Sequence, residues 1–417
     1  MRFIHAADIH LDSPLSGLAA YPDAPAAQLR NATRDAFCEL VNRAIEEQVD
    51  FMIIAGDLYD GSWRDHNTGI FFCREMGRLK RAGIVVYVLF GNHDAENEMT
   101  RKLDMPDNVS CFATQQPQTF TLDALGVALH GQSFKHKETT DNLAAAYPPA
   151  MAGYYNIGVL HTALEGHSAH ANYAPCSRDE LYARGYQYWA LGHVHEFAHW
   201  AGPALIVFPG NLQGRHIRET GRRGAVLVEV DAHGQTRFER LFIDVLRWEA
   251  VRIDAADCTT LVDVARRIGL ALEAVLESDS HVPRAVRVTV FGRSAAHGEL
   301  FGSESQLRNE VLARIASIDN GRLWLEKVSL ETAGLLDGTG RGQHSEALGD
   351  LQEILAEASQ DSAFLQQLAT QLAACAARLP HELDELVAQL PAVRNGDIRV
   401  LLAQVTPALL ARLADAQ

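Results

Sequence analysis

Short apolar runs that stop abruptly at polar residues dominate the first part of the chain. Arg2–Ala7 stops at Asp8, Phe51–Ala55 at Gly56-Asp57, and Ile84–Phe90 at Gly91-Asn92-His93-Asp94. Further on, Ile157–Leu160 stops at His161, and Trp189–Leu191 at Gly192-His193-Val194-His195. Between the first runs, Phe37, Leu40, Val41, Ala44 and Ile45 recur at the period of a helix, and a second helix is predicted from about Asn67 to Arg81. Mostly apolar strands alternating with helices predict a buried sheet of α/β type. The polar residues at the ends of such strands gather on one edge, where sheets of this class bind ligands.

After about Leu241 the pattern changes. Trp248–Ile253 reads as a strand, Thr259–Leu276 as a helix, Ala285–Phe291 as a strand, Ser303–Ile315 as a helix and Arg322–Leu330 as a strand. This is a small α+β unit without a cluster of metal-type residues. Gly334–Gln343 is glycine-rich and polar, the composition of a linker. From about Glu346 onward the chain is rich in Leu, Ala and Gln, with an apolar stripe at Leu348, Leu351, Ile354 and Leu355. Pro380, Pro391 and Pro407 are expected to break or kink this region into short helices. The organisation expected is therefore 1–241, 246–333, a linker at 334–345 and a helical tail at 346–417.

At 417 residues the chain exceeds one ordinary core, and 47% hydrophobic residues suffice for packed domains. The start of the chain has neither the basic residues nor the apolar run of a signal peptide, and no stretch has the length and apolarity of a membrane span. Cys38, Cys73, Cys111, Cys176, Cys258 and Cys375 are scattered without a CxxC pair, which fits reduced thiols in a cytoplasmic protein. The net charge of -16 has the wrong sign for holding nucleic acid by bulk electrostatics. A DNA substrate therefore requires bound cations, a local basic strip or a basic partner.

Asp8-x-His10, Gly56-Asp57-Leu58-Tyr59-Asp60, Gly91-Asn92-His93-Asp94, His161 and His193-x-His195 each place oxygen or imidazole groups just after a predicted strand. Alternate residues at a strand end share one side. Glycines before Asp57, Asn92 and His193 let the backbone turn tightly. Mixed carboxylate, amide and imidazole groups suit manganese, iron or zinc better than calcium or magnesium. Seven such groups exceed one ion's needs but suit two ions sharing a carboxylate. Paired ions roughly 3.5–4 Å apart clamp both the attacking and the leaving oxygens of a phosphoryl group.

These motifs, in this order, resemble those of the calcineurin-like metallophosphoesterases. HAADIHLDSPL, YQYWALGHVH and FPGNLQGRH further resemble the bacterial SbcD/YhaO-like DNA-repair exonucleases. The resemblance covers the first 240 or so residues strongly, the following small domain in layout only, and the tail weakly. It implies a metallophosphoesterase-type β-sandwich flanked by helices, a small α+β capping domain and a helical C-terminal tail. It implies that Asp8, His10, Asp57 and His195 hold one divalent ion, with Mn2+ the first expectation. Asp57, Asn92, His161 and His193 hold the other. His93 is implied to serve the leaving oxygen, with Asp94 orienting it. The implied activity is DNA exonuclease and endonuclease cleavage in repair, with the C-terminal helices docked on a coiled-coil ABC-type ATPase. Relatives of this kind are often homodimers, and no membrane role is implied.

The remaining signals are weaker. Arg215, Arg218, Arg222 and Arg223 face only Glu219 in their stretch, a local basic strip from which Arg215 and Arg218 are the candidate phosphate contacts. Asp60 reads as a partner of the site or a helix cap, and His5 as a hydrogen-bonded core residue. His130, His136, His167, His170 and His199 read as loop or surface residues, and Tyr188 and Trp189 as core. Two other functions compete. One is a small-molecule phosphodiesterase or phosphatase on the same metal core, disfavoured by Gly61-Ser62 where protein phosphatases carry Arg-Gly. The other is a non-catalytic scaffold for the ATPase, disfavoured by the intact motifs.

Overall fold

In the first strand, β1 (Arg2–Ala6), alternate residues serve two different cores. Phe3 and Ala7 enter one apolar cluster, while Ile4 and Ala6 enter another. The same alternation holds in β2 (Phe51–Ala55) and β3 (Val85–Leu89): Phe51, Ile53, Tyr87 and Leu89 lie on one side, and Met52, Ile54, Val86 and Val88 on the other. A strand buried on both faces needs a layer on each side. Helices α1 (Ala26–Glu46) and α2 (His66–Arg81) supply one, through Phe37, Leu40, Val41, Phe72, Met76 and Leu79. A second sheet supplies the other, through Leu129, Ile157, Val159, Tyr188 and Ala190.

This computed structural model describes residues 1–15, 26–60, 66–96, 104–165, 173–277, 281–318, 321–335, 353–379, 390–399, 401–402 and 405–406. His167, His170, Gly61, Ser62, Leu348, Leu351, Pro380, Pro407 and most of the expected linker lie outside them. The chain divides into two compact units, Met1–Glu249 with His281–Ala285, and Ala250–Ser280 with Val286–Gln417.

The first unit continues from β3 through α3 (Asn92–Glu96), β4 (Val109–Cys111), β5 (Gln118–Leu122), β6 (Val127–Gly131) and β7 (Tyr155–His161). Then come α4 (Arg178–Tyr182), β8 (Tyr188–Gly192), β9 (Ala198–Ala201), β10 (Leu205–Phe208), β11 (Gly224–Val230) and β12 (Thr236–Phe242). Its two six-stranded sheets run β12-β11-β1-β2-β3-β4 and β5-β6-β7-β8-β10-β9. In the first sheet, β1, β2, β3 and β4 are parallel neighbours, with Ala6 beside Ile54 and Ala55 beside Leu89. In the second, β6, β7, β8 and β10 are parallel, and His161 is registered with Gly192. This mixed α/β sandwich flanked by helices is the fold the sequence predicts. The unit extends to Glu249 partly because the buried Trp248 donates its indole N–H to the Gly214 carbonyl at 2.9 Å.

β13 (Arg247–Asp254), β14 (Arg284–Arg293) and β15 (Leu323–Ala333), which apart from the first residues of β13 and β14 belong to the second unit, form a three-stranded sheet in that order. Helices α5 (Leu261–Glu277) and α7 (Glu304–Ile318), with the short α6 (His297–Leu300) between β14 and α7, complete it. Val264, Ile268, Leu272, Leu307 and Val311 pack with Val286, Val288 and Val290. Helix α5 starts at Leu261, not Thr259, because Thr260 caps it: the Thr260 hydroxyl accepts from the Asp263 N–H at 3.1 Å, and Asp263 accepts from the Thr260 N–H at 3.2 Å.

The tail is helical where described, with Ser362–Ala376 capped by Asp361 and a short helix at Leu390–Arg394. Pro391 does not break this last helix. It lies in the first turn, where the missing N–H has no helical partner to lose. No described helix is long and apolar enough to cross a membrane.

Candidate metal centre

The ends of the parallel strands carry backbone that side chains rarely adopt. Asp8 (φ 50°), His10 (φ 46°), Asp57 (φ 52°) and His193 (φ 102°) all have positive φ, as does Gly56 (φ 98°). A non-glycine residue there is strained and persists only where its surroundings hold it. Here the loops after β1 and β2 are joined by bonds from Asp8 N–H to the Gly56 carbonyl (3.0 Å), His10 N–H to Asp57 (3.0 Å) and Leu11 N–H to Leu58 (2.9 Å). The close approach also demands glycine: a Cβ at Gly91 would strike the Asp57 carboxylate and the His161 ring, and one at Gly192 the Ala55 carbonyl.

These turns aim seven side chains into one region. His10 Nε2 and His195 Nε2 lie 3.3 Å apart, and Asp8 Oδ1 is 3.9 Å from His195 Nε2. Asp57 Oδ2 is 3.9 Å from His10 Nε2 and 3.4 Å from His161 Nε2, so its carboxylate stands between two imidazoles. Asn92 Oδ1 is 3.0 Å from His161 Nε2. His193 is buried with its ring edge-on to His161 at 5.2 Å, and its backbone N–H donates to both oxygens of Asp8 at 3.1 and 3.0 Å. Two overlapping groups, Asp8–His10–His195 and Asp8–Asp57–His161, each have atoms close enough to share one ion.

The donor chemistry fits cations. His161 Nδ1 lies 3.0 Å from the Ala55 carbonyl, which fixes the ring proton there and leaves Nε2 as a lone pair. That lone pair faces two oxygens, Asn92 Oδ1 and Asp57 Oδ2, just as two imidazole nitrogens face each other at His10 and His195. Acceptors converging in a buried space require positive charge between them. The proton affinities express the same need. Burial lowers His161, but the charge and hydrogen bond of Asp57, with Asp8, push it up to about 9. Burial raises Asp8, and it raises Asp57 too, yet the attraction of His161, His10 and His93 holds Asp57 well below the usual carboxylate range.

Comparison with known proteins agrees with this geometry. Residues 1–197 match the calcineurin-like phosphoesterase family, and residues 248–333 match the middle domain of the metallophosphoesterase YhaO. The chain carries a calcineurin-like metallophosphoesterase domain and a YhaO-like middle domain. It is 35% identical over 266 residues to the uncharacterized metallophosphoesterase YhaO of Bacillus subtilis, covering 63% of this chain and 65% of that one. The DNA double-strand break repair protein Mre11 of Methanopyrus kandleri is 26% identical over 59% of this chain and 57% of its own length. Mre11 of Sulfurisphaera tokodaii is 29% identical over 53% and 59% respectively. These matches thus span 57% to 65% of the relatives' own lengths. Enzymes of the calcineurin-like family are hydrolases of phosphoester bonds with a divalent metal centre, and the metallophosphoesterase domain here offers a cluster that could hold it.

Around that cluster the domain departs from two expectations. Asp94 does not orient His93. It is buried, and it accepts from the N–H groups of Leu58 (3.1 Å), Tyr59 (2.9 Å) and Gly91 (3.0 Å), tying the loop after β2 to the start of α3. Burial and the nearby Asp57 push its pKa up to about 7, against the pull of those N–H groups. The carboxylate beside His93 is Asp60, whose Oδ1 lies 3.2 Å from His93 Nδ1 and 3.4 Å from His10 Nδ1. Burial lowers the pKa of His93, but Asp60 and then Asp57 outweigh it and raise the value above normal. With 34% of its side chain exposed, His93 also reaches toward solvent, whereas His10 and His161 are wholly buried.

The basic strip separates as well. Arg215 turns into the site, with Nη2 3.3 Å from His195 Nδ1 and Nη1 3.5 Å from Ser13 Oγ. Arg218 is exposed away from these contacts. Arg223 is buried, and bonds the His195 and Thr220 carbonyls and the Glu196 carboxylate. Glu219, read from sequence only as a counter-charge, proves central: it accepts from His195 Nδ1 at 2.7 Å. A single acid among arginines just after a ligand motif was the only signal for it.

Of the other histidines, His5 is buried between the Tyr188 hydroxyl (3.0 Å) and the Leu191 carbonyl (3.1 Å), a core residue as expected. His130 is not at the surface: it is fully buried on β6 between Thr119 Oγ (2.8 Å) and Asn156 Oδ1 (3.0 Å). His136 and His199 are exposed. Tyr188 and Trp189 are fully buried.

Proposed function

We propose that this metallophosphoesterase is a two-metal phosphodiesterase that cleaves DNA. The observation that carries this reading is the Asp57 carboxylate standing between His10 and His161, flanked by paired acceptors on both sides. Asp8, His10, Asp57 and His195 hold one cation, and Asp57, Asn92, His161 and His193 the other; Mn2+ suits this mixed set. When bound, the cations supply positive charge that neutralises a phosphate and lowers the pKa of water.

The chain's own residues do the rest. Asp60 sits beside His93 Nδ1 and, with Asp57, favours the protonated ring, whose Nε2 proton is the one the leaving oxygen takes up. Asp94 holds the turn that presents Asn92 and His93. Arg215 meets a substrate phosphate, in a chain whose overall charge opposes one. Arg218, being exposed, contributes only general attraction.

Kinship with Mre11, a DNA double-strand break repair protein, supports DNA as the substrate and a role in repair; the scattered cysteines, with no CxxC pair, support the cytoplasm as the place. We further read the tail as the dock for a coiled-coil ABC-type ATPase. Exposed apolar side chains at Ile354 and Phe364 support that role.

The test is direct. Metal-stripped protein is reloaded with Mn2+ and given linear duplex DNA with blunt or hairpin ends, alongside bis-p-nitrophenyl phosphate. Mn2+-dependent cleavage of DNA is expected. Hydrolysis of the small diester with DNA untouched would move the substrate to the small-molecule class, and fewer than two ions per chain would remove the paired centre. For the dock, a chain ending at Leu335 should no longer co-purify with the ATPase.

A further inference from the structure

Glu219 lies in the segment between β10 and β11, outside the metal motifs, yet it is buried to 5% exposure. Its two oxygens divide their work. Oε1 takes His195 Nδ1 at 2.7 Å and Arg215 Nη2 at 3.2 Å. Oε2 takes the Asn211 side-chain amide at 2.9 Å and the Arg215 N–H at 2.7 Å. One oxygen faces the site, and the other fastens the carboxylate to its own loop.

Two consequences follow. A carboxylate accepts only, so the His195 ring proton sits on Nδ1 and Nε2 remains a lone pair, 3.3 Å from His10 Nε2. At the same time the Arg215 guanidinium is held between two carboxylates, with Nη2 on Glu219 and Nη1 3.9 Å from Asp60. A loop-closing ion pair alone would need neither the imidazole contact nor a guanidinium turned toward Asp60.

We propose that Glu219 is a positioning residue that keeps the His195 ring proton on Nδ1, with Nε2 turned toward His10, and holds Arg215 at the site. Filling of the Asp8–His10–His195 corner and the grip on substrate phosphate then depend on one carboxylate. The inference rests on the metal-centre reading above.

The experiment uses the full chain and three variants, Glu219→Ala, Glu219→Gln and Arg215→Ala, each stripped of metal. Mn2+ binding is followed by equilibrium dialysis and by the electron paramagnetic resonance signal of a coupled ion pair, and KM is measured on bis-p-nitrophenyl phosphate. The unaltered chain should bind two ions. Glu219→Ala should weaken one of them about 10–100-fold, lose the coupled signal and raise KM. Glu219→Gln should fall between, because its amide oxygen still accepts from His195. Arg215→Ala should keep both ions and raise KM alone. Wild-type affinity for both ions with unchanged KM in Glu219→Ala overturns the proposal; if that variant does not fold, the same result in Glu219→Gln does so. An unaltered chain that fails to bind a pair would instead sink the metal-centre reading, and this inference with it.

Discussion

The strand-end edge of the first unit and the sheet of the second are built on opposite terms. Among the described residues, every non-glycine with positive φ lies at or before His193, and four of the eight are candidate ligands. Among the described residues, the groups that could hold an ion, Asp8–His10–His195, Asp8–Asp57–His161 and His10–Asp60–His93, lie there too, with Asp8, His10, Asp57, Asn92, Asp94, His161 and His193 buried together. The second unit puts Val264, Ile268, Leu272, Val286, Val288, Val290 and Val311 at its centre and has ordinary backbone around them. The first region holds strain and buried polarity in place with surrounding hydrogen bonds, which is how binding and reacting sites are organised. The second maximises apolar burial, which is how a domain is stabilised. Substitutions in the two regions should therefore be read out in different quantities.

The largest contrast is expected at Asp57. Asp57→Asn should cut hydrolysis of bis-p-nitrophenyl phosphate roughly a thousandfold and reduce bound Mn2+, while thermal stability of the metal-free protein holds or rises. Activity within tenfold of the original would break the comparison. His93→Ala should lower kcat by about a hundredfold or more and leave Mn2+ stoichiometry intact; a parallel loss of metal would reassign His93 as a ligand.

In the second unit, Ile268→Ala should cost about 2–5 kcal/mol in denaturant unfolding and barely change kcat on the small diester. A loss of kcat without a loss of stability would show the two regions to be less separate than their construction suggests. A smaller effect belongs to Asp60→Asn. Asp60 raises the pKa of His93, and an acid loses activity as pH rises through its pKa, so the variant's basic limb of kcat should move to lower pH.

The smallest effect concerns His5. Burial pushes its pKa down to about 3, from an ordinary value near 6.5. A depressed histidine contributes its stability above the ordinary value and loses it as pH falls toward the folded one. Melting temperature should therefore fall between about pH 6.5 and pH 3, and His5→Gln should flatten that slope.

Much of this was legible in the chain. Apolar runs ending in Asp, Asn or His mark parallel strands whose tips converge, because strand alternation and burial on both faces are local properties of sequence. The caps of the second unit were nearly legible: Thr260 and Asp263 stand at capping spacing, yet the helix start was read two residues early. Orienting contacts were harder to read. Asp94 follows His93 in the chain but turns back to three N–H groups, whereas Asp60, some thirty residues away, stands beside the ring. His130, outside any motif, is enclosed because β6 lies inside its sheet.

What the sequence determined by itself is the list of groups that meet: residue type, spacing and glycine placement already specify which side chains leave each strand tip. Only the tertiary structure decided which carboxylate serves which imidazole, giving Asp60 to His93, Glu219 to His195 and Asp94 to the backbone. The physical reason is range. Strand periodicity and turn chemistry act over a few neighbouring residues, whereas a hydrogen bond between side chains depends on angstrom-scale placement of loops that sequence spacing leaves free.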